Sequence, residues 1–181
     1  MTLPLPQSVF TLEEIIANRL EWTTALRAKT PSGCQRYRQH RGSMASNSYS
    51  SFCCLGVAAY KVVAIGAKKA EHGSFVARDR YCERMRSTLS LHACATLGLS
   101  NNMQDFLAEL NDVKVPFPVI ADVIDLLPVV SPFEENSIRK WRYAEFSNRP
   151  DIKALLSPWE RRLAFYREDP AQYNNNSSPN S

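Results

Sequence analysis

No stretch of this chain is long and apolar enough to cross a bilayer, and its opening, MTLPLPQSVF, lacks the basic start and continuous apolar run of a secretory signal. Neither export nor membrane insertion is expected, and the expected compartment is the cytoplasm. A Walker loop, a dinucleotide fingerprint, a metalloprotease helix and a nucleophile elbow are all missing, so the common cofactor chemistries have no support and no cofactor is called for. Histidine is sparse, with His40, His72 and His92 the whole complement. The five cysteines, Cys34, Cys53, Cys54, Cys82 and Cys94, are odd in number and scattered, which fits reduced cytosolic thiols better than a disulfide framework. The adjacent pair Cys53 and Cys54 lacks the two-residue gap that lets two thiolates embrace one zinc, and no second paired ligand set follows, so no metal site is expected.

What is present is ordinary globular material. A chain of 181 residues with 44% hydrophobic and 22% charged residues can bury a sizeable core as one domain. Its net charge of +4 neither demands nor forbids a polyanionic partner, and argues against an acidic mimic of DNA. Residues 171–181, AQYNNNSSPNS, hold too little apolar surface to offset the entropy of ordering and are read as a disordered tail.

Thr11 and Glu14 have the spacing of a capping box, and the apolar residues that follow predict a first helix over 12–28. The segment CQRYRQHRG (34–42) alternates like a partly exposed strand. An apolar run then predicts a buried helix over 52–65, capped by Ser50 or Ser51. A short strand is placed at 74–77, and three short helices at 89–97, 103–110 and 117–127. Ser131-Pro132 and Ser157-Pro158, each with a Glu two residues past the proline, predict helices over 132–146 and 158–168, with a shorter helix over 151–156 between them. The fold class is therefore α+β, mainly α: a single domain of short packed helices with a small β-hairpin or sheet element. Residues 1–10 form an N-terminal arm, 11–128 a core, and 129–170 a helical extension packed on that core.

Two islands stand out, SFCCLGV at 51–57 and LNDVKVPFPVIADVID at 110–125. With Trp22, Ala25-Leu26, Ser32-Gly33, Gln39, Gly42 and Leu97-Gly98-Leu99, their order resembles a family of small uncharacterised bacteriophage and prophage proteins. The likeness spans about Trp22 to Asp125. It departs where the family often carries a glycine shortly after Asn-Asp, since this chain has Val113-Lys114-Val115. The resemblance implies an accessory viral gene product and brings no catalytic residues with it.

Two chemistries can be written on these residues. A thiol at a helix N-terminus feels the positive end of the macrodipole, so Cys53 or Cys54, with His40 or His92 as base and Asn111 or Asp112 as orienting group, would make a cysteine hydrolase or transferase. The plainer reading makes both cysteines packing residues. The basic stretch Arg36, Tyr37, Arg38, Gln39, His40, Arg41 instead suits anion binding. On a strand Arg36, Arg38 and His40 share a face, arginine forks grip phosphate, and Tyr37 or Tyr49 offers a ring for stacking.

Asn111-Asp112 is read as a helix-ending turn in preference to part of a polar site, with Asp122 and Asp125 solvated and Phe117, Ile120, Ala121 and Ile124 facing the core. Arg139, Lys140, Arg142, Arg161, Arg162 and Arg167 interleave with C-terminal aromatics and permit a second anion-binding or partner-binding face. The function expected is binding, in counter-defence or a related interference with the host, with Arg36, Tyr37, Arg38, His40 and Arg41 as contacts. A phosphorylated small molecule, a host protein or a nucleic acid is the expected partner, and a homo-oligomer is allowed. A virion structural or assembly component is the third class, resting on the C-terminal aromatic helices.

Overall fold

The computed structural model describes residues 10–32, 38–39, 45, 51–63, 69–71, 74–78, 84–85, 87–130 and 148–169. Within them the chain is mainly α, with small β elements. Helix α1 (Leu12–Arg27) starts at the anticipated capping box: the Thr11 N–H donates to Glu14 Oε2 at 2.8 Å, and the Glu14 N–H to Thr11 Oγ1 at 3.2 Å. This reciprocal pair satisfies two of the amide donors that every helix start leaves open.

The segment read as a strand over 34–42 is described only at β1 (Arg38–Gln39), which pairs in parallel with β2 (Ser51–Phe52). Helix α2 (Cys54–Ala58) follows and runs into a π-helical turn, Ala59–Val63. The helix expected from Phe52 therefore starts later, and its cap is neither Ser50 nor Ser51. Cys53 is the N-cap, its Sγ accepting the Gly56 N–H at 3.2 Å, because Ser51 and Phe52 are drawn into the ladder with β1. A three-stranded antiparallel meander comes next: β3 (Lys69–Glu71), β4 (Ser74–Arg78) and β5 (Arg84–Met85).

Three helices then pack in succession: α3 (Leu91–Leu97), α4 (Asn101–Asp112) and α5 (Phe117–Leu126). Ser90 and Ser100 cap the first two through their hydroxyls, accepting from Ala93 N–H at 3.1 Å and Met103 N–H at 3.3 Å. Helix α3 ends on Gly98 in the left-handed conformation, φ +59°. The Leu99 N–H returns to the Cys94 carbonyl at 2.9 Å, which closes the turn. The glycine is required twice over, since a Cβ there would sit 2.7 Å from Val129 Cγ1 and 2.8 Å from Ile15 Cγ2.

Helices α6 (Pro150–Leu156) and α7 (Glu160–Glu168) are joined by a 3-10 turn, Ser157–Trp159. Ser157 is not the N-cap its Ser-Pro setting suggests. The chain stays helical through it, and its hydroxyl donates back to the Ala154 carbonyl at 3.1 Å, so no open helix start is left to cap. The helix expected over 132–146, the tail over 171–181 and all of the expected arm 1–10 except Phe10, which is buried, lie outside the described residues.

In the main core cluster Trp22 and Leu26 of α1, Leu55 of α2, Leu97 of α3, Met103, Phe106 and Leu107 of α4 and Ile120 of α5 are sealed from solvent, and Phe10, Ile15 and Ala95 form a smaller cluster. Phe117, Ile120, Ala121 and Ile124 face the main cluster as their helical spacing requires. Asp122 and Asp125 are half-exposed, but both pair with Arg27 of α1, at 2.7 and 2.5 Å. Among the described residues, no helix is long and apolar enough to cross a membrane.

Candidate functional site

The two islands of sequence meet in space. Helix α4 carries Asn111 into the core, where it is wholly buried, and its Oδ1 accepts the Cys54 N–H at 3.1 Å. The same oxygen lies 3.4 Å from Gln39 Nε2, which also donates to the Asn111 carbonyl at 3.2 Å and the Val115 carbonyl at 2.9 Å. Asn111 Nδ2 reaches Asp112 Oδ1 at 3.4 Å, and Asp112 Oδ2 accepts the Tyr166 hydroxyl of α7 at 3.2 Å. A polar chain thus runs from β1 through α4 to α7, holding a strand, two helix ends and a late helix in one register.

Asn111 and Asp112 are therefore the last turn of α4 and not a turn after it. The reversal falls one step later, at Val113 and Lys114, and Lys114 takes the left-handed conformation, φ 65°. Burial decides this, because α4 must extend to Asn111 for its amide to reach the start of α2.

The two adjacent cysteines are packed into the core. Cys53 is 6% exposed and Cys54 not at all. Burial pushes the Cys53 thiol up to about 12, against the lesser pull of the Gly56 and Leu55 amides, and raises the Cys54 thiol well above its ordinary value. The macrodipole argument fails because desolvation of a thiolate outweighs the dipole of a five-residue helix. Cys53 Sγ acts as an acceptor for its own helix start, and the Cys54 thiol donates to the Leu107 carbonyl at 3.3 Å. His92 sits on α3, where its carbonyl accepts the Thr96 hydroxyl at 2.9 Å, and His40 lies outside the described residues. In the described structure Cys53 and Cys54 serve as a junction between the start of α2 and α4.

The basic stretch is described at Arg38 and Gln39, while Arg36, Tyr37, His40 and Arg41 lie outside the described residues. The Gln39 side chain ties β1 to the end of α4. The Lys114 ammonium is 3.5 Å from the Gln39 carbonyl, which sets a further cation beside the middle of this stretch. Lys114 was not singled out from the sequence. Its signal would have been a lysine just past a helix end, where a left-handed backbone favours glycine.

Arg19 was missed as well. It is 7% exposed, and its guanidinium donates to four carbonyls: Leu97 at 2.7 Å, Gly98 and Pro128 at 2.8 Å, and Leu127 at 2.6 Å. These carbonyls end α3 and α5, so one cation answers the negative poles of two helices. Burial lowers its pKa to about 10, which leaves it charged at neutral pH. The legible signal was an arginine on the same helical face as Ile15, Trp22 and Leu26.

A cleft of about 180 Å³ between α6 and α7 is lined by the buried Leu156 and Leu163 and by Lys153, Glu160 and Arg167. Arg167 is engaged there, its Nε donating at 2.6 Å to Glu109, a carboxylate only 7% exposed. Among the described residues, no group of three or more His, Cys, Asp and Glu side chains could hold a metal ion. Comparison of the chain with protein-family models, with curated proteins and with solved structures returned no match.

Proposed function

We propose that this chain is a phage accessory protein that works by binding in the host cytoplasm, sequestering a phosphorylated ligand or occluding a host macromolecule, with Arg36, Arg38, His40 and Arg41 as its first contacts. The viral part of this reading rests on the resemblance carried by the two islands. The anion-binding part rests on the basic stretch and on one observation: Gln39, at its centre, is anchored to Asn111 and Val115 while the Lys114 ammonium lies beside the Gln39 carbonyl. A binding strand tied to a rigid core spends less entropy on capturing its ligand, and each added cation strengthens the grip on phosphate. Closure of the cysteine island supports binding over thiol catalysis.

The test begins with native mass spectrometry of gently purified protein, with and without denaturation. A non-covalent nucleotide, nucleic acid or protein mass is the expected result. Arg36→Glu with Arg38→Glu should remove it, and Lys114→Ala should weaken it. Undiminished binding by the charge-reversed double variant overturns the assignment of the basic stretch.

A further inference from the structure

Leu12, Ile16 and Leu20 stand one above another on α1 at four-residue spacing, and they are 55%, 53% and 64% exposed. Single exposed leucines are commonplace, but three in register form a continuous apolar ridge about 12 Å long at the helical rise. The ridge is not the core face of the helix. Ile15, Trp22 and Leu26 already meet the core on another side, and Arg19 is spent on the ends of α3 and α5.

The exposed charge near the ridge is mainly acidic. Glu13, Glu14 and Glu21 are exposed on α1, and Asp122 and Asp125 lie across from its last turn on α5. Against these five carboxylates the two helices offer two guanidinia, Arg27, already shared between the two aspartates, and the buried Arg19. This acidic surface lies on a chain of net charge +4.

The geometry points to a docking surface for an amphipathic helix of a protein partner whose apolar stripe is flanked by lysine and arginine. Such a helix covers the ridge with its stripe while its cations meet Glu13 and Glu21, a pairing of one helix face with another steered by charge. A second copy fits less well. Two α1 ridges packed antiparallel about Ala17 bring Glu13 of one chain against Glu21 of the other, like charge against like. The occupant is thus of different chemistry from the phosphorylated ligand of the basic stretch, and the two readings stand or fall separately.

Two synthetic amphipathic helices with the same leucine stripe, one flanked by lysines and one by glutamates, are titrated against the full chain by fluorescence anisotropy. The lysine peptide should bind at least about tenfold tighter than the glutamate peptide. Ile16→Ser with Leu20→Ser should abolish that binding, and Glu13→Lys with Glu21→Lys should reverse the preference. Equal binding of both peptides, or binding of neither, overturns the proposal. A wild-type dimer in light scattering that the double serine variant converts to monomer assigns the ridge to a second copy and also overturns it. So does a clear drop in melting temperature of the serine variant, because exposed side chains cost little to replace and a large loss means the chain covers the ridge itself.

Discussion

The Cys54 N–H donates to Asn111 Oδ1 across 57 positions of sequence, at 3.1 Å, with both residues fully buried. The start of α2 and the end of α4 are each short of hydrogen-bond partners, and this one amide joins them. Asn111→Ala leaves the Cys54 N–H without Oδ1 and opens a small void. Loss of stability on the order of 2–3 kcal/mol is expected in urea unfolding, well beyond the effect of an ordinary surface change. A shift below about 0.5 kcal/mol would show that the junction carries little of the fold.

The thiols should be inert in the folded state. With Cys53, Cys54 and Cys94 buried, and Cys53 and Cys94 raised to about 12, a soft electrophile at neutral pH should label them only as fast as the chain opens. Peptide mapping after timed labelling reads this directly. Rapid modification of Cys53 or Cys54 before the others would restore the nucleophile reading.

Those same thiols set an alkaline limit. Their folded pKa lies above the ordinary 9.0, so the folded state holds more protons than the unfolded one; the stability they contribute is intact below about pH 9 and is lost as pH climbs toward 12. Arg19 acts oppositely from about pH 10 upward, since its folded pKa is lowered to about 10. The thiols begin to act at lower pH, so the urea midpoint should fall between pH 9 and 10. Cys94→Ala should flatten that fall, and a flat wild-type profile would refute the linkage.

Removing Arg167 should loosen α7 in a pH-dependent way. Burial holds the Glu109 carboxyl above its ordinary value, and Arg167 opposes that shift. A group raised in the folded state contributes stability at low pH and loses it as pH rises through its folded pKa, and Arg167→Met raises that pKa further. The variant should therefore lose more stability near neutral pH than at about pH 4, by roughly 1 kcal/mol given the partial exposure of Arg167. Equal losses at both would assign the contact to packing alone.

Arg19→Met should be among the most damaging single changes. It takes the guanidinium from the carbonyls of Leu97, Leu127 and Pro128 and leaves Gly98 only the Val130 N–H, with an expected loss of about 3 kcal/mol in chemical denaturation. Lysine should rescue only part, since an ammonium cannot span four acceptors that a planar fork reaches together.

Local chemistry made much of the helical scaffold legible in the amino-acid sequence. The Thr11–Glu14 box, the Gly98 stop, the core face of α5 and the mainly α class all follow from spacings within a few residues, and such signals act before any distant contact forms. Where a distant partner competes, the local signal loses. Ser51 yields the cap of α2 to Cys53 because β1 claims it, Ser157 is bypassed by a continuous helical path, and Asn111-Asp112 stays helical because Cys54 and Gln39 need its amide. Periodicity placed Leu12, Ile16 and Leu20 on a helix but could not say which flank of it would be covered. Arg19 and Trp22 decided that, by reaching the carbonyls of Gly98, Leu127 and Cys54. The sequence alone thus determined where most helices run and how several of them start and stop, since caps and periodicity are properties of neighbours. Only the tertiary structure decided which polar groups are sealed inside and which apolar ones are left outside, because desolvation and long-range hydrogen bonding depend on what the folded chain brings together.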